Sequence, residues 1–145
     1  MTGITNPTEE YFKDGLWGWD GTQWRKLNLL FGYYDRWQET VSATSTGGDT
    51  AVITTPVPTG YVYICNTANV KHTDSTARRL RIQAFTGTAA VEMLDEAAVP
   101  FATYKFITYT YVVLRAGDSM RAVASELADG KLVELKVWGY KMKVS

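Results

Sequence analysis

A chain of 145 residues with 15 Lys+Arg, 15 Asp+Glu and one Cys suits a single domain with a sizeable core. Its balanced charge gives no global field for drawing in nucleic acid or a membrane surface, and the lone cysteine excludes an internal disulfide framework. The longest apolar runs, such as residues 109–114, are far too short to cross a bilayer, so neither nucleic acid nor a membrane is expected as a partner.

Residues 1–8 carry no charged n-region and no apolar h-region, so synthesis and assembly inside a cytoplasm is the expectation. Aromatic residues then crowd together: Trp17, Trp19, Trp24, Tyr33, Tyr34 and Trp37, while the fifth tryptophan, Trp138, lies near the other end. Residues 15–27 read as two short extended pieces joined at an Asp20-Gly21 turn. Three uses of these rings stay open. A cross-strand pair could close the hairpin, with Arg25 lying over a ring. Exposed rings could bury against a partner protein. The spacing Trp19-x-Gly21-x-x-Trp24 could also set two rings side by side for a surface glycan. Trp17, Trp19, Asp20, Trp24, Arg25, Tyr33, Tyr34 and Trp37 are therefore the candidate docking residues. Residues 1–35 form the expected aromatic hairpin or docking arm. Residues 36–145 carry a regular strand series, and no Gly/Ser-rich or Pro-rich linker divides the two.

Past the arm the hydrophobic period is two. Leu80, Ile82 and Ala84 alternate with Arg79, Arg81 and Gln83; Met120, Ala122 and Ala124 alternate with Arg121 and Ser125; Val133, Leu135 and Val137 alternate with Glu134 and Lys136. Turn signals stand between these runs, among them Gly47-Gly48-Asp49, Ala116-Gly117-Asp118 and Ala128-Asp129-Gly130. Only residues 89–98 pass for a helix, ended by Pro100. The expected fold is all-β: an antiparallel sandwich of about eight strands, of jelly-roll type, with less than about a tenth helix. Residues 106–113 read as one strand that is apolar on both faces. Tyr109, Tyr111 and Val113 would then face a neighbouring copy in a homo-oligomer, with a trimer as the expected order.

Residue types for chemistry are sparse. His72 is the only histidine and reads as a surface or strand-end residue; Cys65 reads as a small apolar strand residue. Together they cannot complete a zinc set, and no phosphate loop, dinucleotide fingerprint or calcium loop is present. Glu92, Asp95 and Glu96 read as a solvated rim rather than a glycosidase pair. No catalytic, metal or cofactor residue is assigned, and no enzymatic activity is expected. Lys71, His72, Arg78, Arg79 and Arg81 flank the turn at residues 73–76 and suggest a basic hairpin tip, either solvated or paired with acidic groups of a neighbouring subunit.

Gly18-Trp19-Asp20-Gly21-Thr22-Gln23-Trp24-Arg25-Lys26-Leu27 resembles the Asp-Gly-Thr/Ser-x-Trp-Arg-x-Leu signature of small structural proteins of tailed bacteriophages. Leu114-Arg115-Ala116-Gly117-Asp118-Ser119-Met120-Arg121-Ala122, followed by Leu135-Lys136-Val137-Trp138-Gly139-Tyr140, is similar to the closing strands of phage and TNF-like jelly rolls. The two matches cover about a third of the chain, one at each end. The resemblance implies a non-enzymatic virion protein, a head decoration or tail-associated component, with itself and the major capsid or tail proteins as partners. The alternative it leaves is a carbohydrate- or receptor-binding module of a phage tail.

Overall fold

The computed structural model describes residues 16–19, 24–27, 35–108 and 111–143. The chain divides into two compact units, Met1–Tyr34 and Asp35–Ser145. In the first, β1 (Leu16–Trp19) and β2 (Trp24–Leu27) pair antiparallel with Trp19 opposite Trp24.

The second unit is a β-sandwich with no helix among the described residues. Its strands are β3 (Asp35–Thr44), β4 (Gly48–Ile53), β5 (Tyr61–His72), β6 (Arg78–Phe85), β7 (Ala90–Val99), β8 (Lys105–Ile107), β9 (Val112–Leu114), β10 (Ser119–Leu127) and β11 (Leu132–Lys143). One antiparallel sheet has the order β4-β10-β6-β7; the other runs β3-β11-β5, with β8 and β9 both paired to the far side of β5. Alternation decides which side chains meet between the sheets. Leu80 and Ile82 from β6 and Met120, Ala122 and Ala124 from β10 face Val133, Leu135 and Val137 from β11, all of them fully buried. Gly130 closes the β10–β11 turn at φ +73, a conformation that costs glycine little.

Three expectations are corrected. Residues 89–98 are not helical: β7 runs through them, because the edge of β6 supplies a ladder of partners that outweighs local helix propensity. Residues 106–113 are not one strand. β8 pairs at residues 68–70 of β5 and β9 at residues 63–65, and the chain leaves the ladder between them. The stretch at residues 73–76 is no hairpin tip either, since β5 and β6 belong to different sheets and residues 73–77 cross between them.

One irregularity shapes the five-stranded sheet. Trp138 lies opposite Thr67 and Gly139 opposite Cys65, so Asn66 is an extra residue in β5. The bulge explains why Cys65 and Ala68, three positions apart, are both buried in the core. At this point the strands approach closely: a Cβ on Gly139 would collide with the Ile64 carbonyl oxygen.

Candidate functional site

The outer face of the five-stranded sheet is the most distinctive surface among the described residues. Its rows follow from register. Val113, Ile64, Tyr140 and Arg36 stand side by side across β9, β5, β11 and β3. Below them come Thr67, Trp138 and Gln38, then Phe106, Asn69, Lys136 and Thr40. Phe106 is 59% exposed, Val113 56% and Tyr140 49%. Tyr111, in the break between β8 and β9, is 76% exposed. Val112 and Leu114, the neighbours of Val113, turn inward, and Leu114 is fully buried. The apolar character of β9 thus serves the core on one side and faces solvent on the other.

The charged end of this face is internally paired. The Lys71 ammonium lies 4.7 Å and that of Lys136 5.4 Å from the centre of the Tyr104 ring. Glu134 sits 3.6 Å from Lys71 Nζ and 3.4 Å from Lys136 Nζ, and Tyr104 donates to its carboxylate at 3.3 Å. Contact with the Tyr104 hydroxyl and with Glu134 raises the pKa of both lysines above its ordinary value.

Of the candidate docking residues, Trp17, Trp19, Trp24 and Arg25 are placed in β1 and β2. Asp20, Tyr33 and Tyr34 lie outside the described residues, as does Tyr109 of the candidate oligomer face. Trp37 is corrected. It is 5% exposed, points into the sandwich, and packs on Tyr63 with ring centres 5.0 Å apart. Its place opposite Gly139, which has no side chain, leaves room for an indole in the core, so it is unavailable to a partner.

The basic residues around the crossover are also differently placed than expected. His72 is fully buried: Nε2 donates to the Val99 carbonyl at 2.7 Å and Nδ1 accepts from the Asp74 N–H at 3.1 Å. Arg78 Nε donates to Asp74 at 2.9 Å, Arg79 Nε to Asp95 at 2.7 Å, and Lys71 pairs with Glu134. Each cation has a carboxylate from its own chain. Asp95 is held below its ordinary carboxylate pKa by the Arg79 hydrogen bond, and Glu92 accepts from Gln83 Nε2 at 2.6 Å. Cys65 is fully buried, and desolvation pushes its thiol up to about 12. Among the described residues no three His, Cys, Asp or Glu side chains cluster as metal ligands, and no helix is long and apolar enough to cross a membrane.

Sequence reasoning passed over Trp138, Gln38 and Arg36. The signal was there for Trp138: it falls in phase with Glu134 and Lys136 and out of phase with Val133, Leu135 and Val137, which puts it on the outer face.

No family model matches the sequence, and no curated protein matches it. Among solved structures the chain is similar to a protein of the disulfide-linked pili that form Bacillus endospore appendages. The two share 14% identity with a TM-score of 0.41, over 83% of this chain and 100% of that one.

Proposed function

We propose that the protein is a non-enzymatic structural component of an assembled particle, a tailed-phage virion by the resemblance at its two ends, either as a head decoration or in the tail. It self-associates through the β8–β9 side of the outer face and attaches to a major capsid or tail protein through the aromatic N-terminal hairpin. The observation that carries this reading is the exposed set Phe106, Tyr111 and Val113, set on a strand pair whose other side is already sealed in the core. Large apolar groups gathered on one edge favour a covering surface. A second copy supplies one in the same register of chemistry, and repetition in a lattice lets a modest contact per copy add up through avidity. The strand orders β4-β10-β6-β7 and β3-β11-β5-β8/β9 support the jelly-roll reading, with β8 and β9 serving as one interrupted strand.

Native mass spectrometry and light scattering on the full chain test the proposal. The wild type is expected to form a closed oligomer, with a trimer as the leading order. Val113→Asp and Phe106→Asp are expected to give monomers whose melting temperature is little changed, because both side chains already face water in the protomer. Monomeric wild type at micromolar concentration, together with normal particle incorporation of both variants, would remove the basis for this reading.

A further inference from the structure

On the β3–β11 half of the outer face, the bulge at Asn66 opens a groove of about 390 Å³ lined by Arg36, Gln38, Asn66, Trp138, Gly139 and Tyr140. The groove is shallow and open to solvent, so it suits a flat ligand laid along the sheet rather than one enclosed by it. Its lining is mixed in a particular way. Trp138 and Tyr140 give wide, flat apolar surfaces, and Trp138 is only partly covered although it sits mid-sheet. Gln38 flanks it on β3 through direct pairing, and Asn66 stands at the bulge beside its β5 partner. The exposed Gln38 amide carries both donors and an acceptor, the Asn66 Oδ1 is buried, and Arg36 adds a planar fork of donors next to Tyr140.

We propose that this groove is a carbohydrate-binding site, in which Trp138 stacks on a pyranose ring while Gln38 and Arg36, both exposed, take its hydroxyl groups. A pyranose matches the groove in both halves of its chemistry. Its ring face presents apolar C–H groups to an aromatic plane, and its equatorial hydroxyls both donate and accept, as primary amides do. A purely apolar ligand would strip water from Gln38 and Arg36 without replacing their hydrogen bonds. Single-stranded nucleic acid stacks on aromatics too, but it follows a basic track, and here one guanidinium stands in a chain of zero formal net charge. Among the described residues no Asp or Glu lines the groove. Self-association and sugar binding use different parts of the face: Tyr140 and Val113 are two strand spacings apart, about 10 Å.

The test presents the full-length protein with hexamers of β-1,4-glucose, α-1,4-glucose, N-acetylglucosamine and galacturonate, with a deoxythymidine oligonucleotide as counter-probe, followed by calorimetry. At least one hexamer is expected to bind with a dissociation constant of about 1 mM or tighter. Trp138→Ala is expected to weaken it about tenfold, and Gln38→Ala by a smaller factor with unchanged melting. Phe101→Ala, exposed elsewhere, serves as the control. If Trp138→Ala does not fold, Gln38→Ala decides alone. The proposal is overturned if no hexamer is retained at about 10 mM, if binding ignores the groove variants but is lost in Trp19→Ala, or if the oligonucleotide binds more tightly than every sugar. A monomeric Val113→Asp protein that still binds sugar separates this site from the assembly surface.

Discussion

Asp74 sits where the chain leaves β5, its side chain almost wholly covered, and it accepts hydrogen bonds from the N–H groups of Thr76 at 3.0 Å and Ala128 at 3.0 Å and from Arg78 Nε at 2.9 Å. These bonds favour the charged form and hold its pKa down to about 2, against about 4 in an unfolded chain. The stabilisation is therefore fully present above about pH 4 and is lost as pH falls toward about 2. Asp74→Asn is expected to lower the melting temperature at neutral pH and to flatten the loss of stability in acid, as read from thermal melts across that range. At Gly139, replacement by alanine drives a Cβ into the Ile64 carbonyl and should cost about 3 kcal/mol or more in denaturant unfolding. Cys65 should resist thiol reagents in the native protein and react only on unfolding, because its buried thiol does not ionise at neutral pH. The apolar role of Cys65 was legible from its alternating neighbours. The burial of His72 was not, because its acceptor, the Val99 carbonyl, is supplied 27 residues away by β7.

Alternation identified β6, β10 and β11, and it failed where pairing rather than pattern decides. β7 contains Val91, Met93, Leu94 and Ala97 at helix-like spacing, yet it is an edge strand zipped to β6 with irregularities in register near residues 79 and 82–83. β8 and β9 read as one strand because the residues between them in sequence, Thr108, Tyr109, Thr110 and Tyr111, all have strand propensity. The bulge at Asn66 was equally hidden, since nothing in Cys65-Asn66-Thr67 marks an extra residue. Edge strands also need protection from pairing with other chains. On β7 this falls to Glu92, Asp95 and Glu96; the last pairs with core-facing Leu80 and so keeps a carboxylate near the inner side of the edge. Glu96→Val is expected to leave the fold intact but to speed aggregation on warming, followed by static light scattering. Unchanged aggregation would mean that another feature blocks the edge.

At the scale of the whole chain, the tryptophans are divided between the two units rather than spread along the strands. Trp17, Trp19 and Trp24 belong to Met1–Tyr34, and Trp37 and Trp138 belong to Asp35–Ser145, one in the core and one on the outer face. The buried cluster of the second unit runs from Trp37 to Val137 and draws on every one of its strands. That unit is compact by itself and has a buried cluster of its own. Deleting residues 1–34 is therefore expected to leave the sandwich folded, with a cooperative melt close to that of the full chain. On the proposed docking role, the same deletion should abolish incorporation into a particle, because tryptophans that face a partner carry a disproportionate share of interface energy, about 2 kcal/mol or more each on truncation. Trp19→Ala and Trp24→Ala, whose positions pair across the β1–β2 ladder, should likewise cost incorporation more than thermal stability. A hairpin that instead serves as a lid for the sandwich makes the opposite forecast: both variants melt early, soluble protein falls, and whatever remains folded assembles normally. Melting curves and particle incorporation, measured together on the deletion and the two variants, separate a docking arm from a lid.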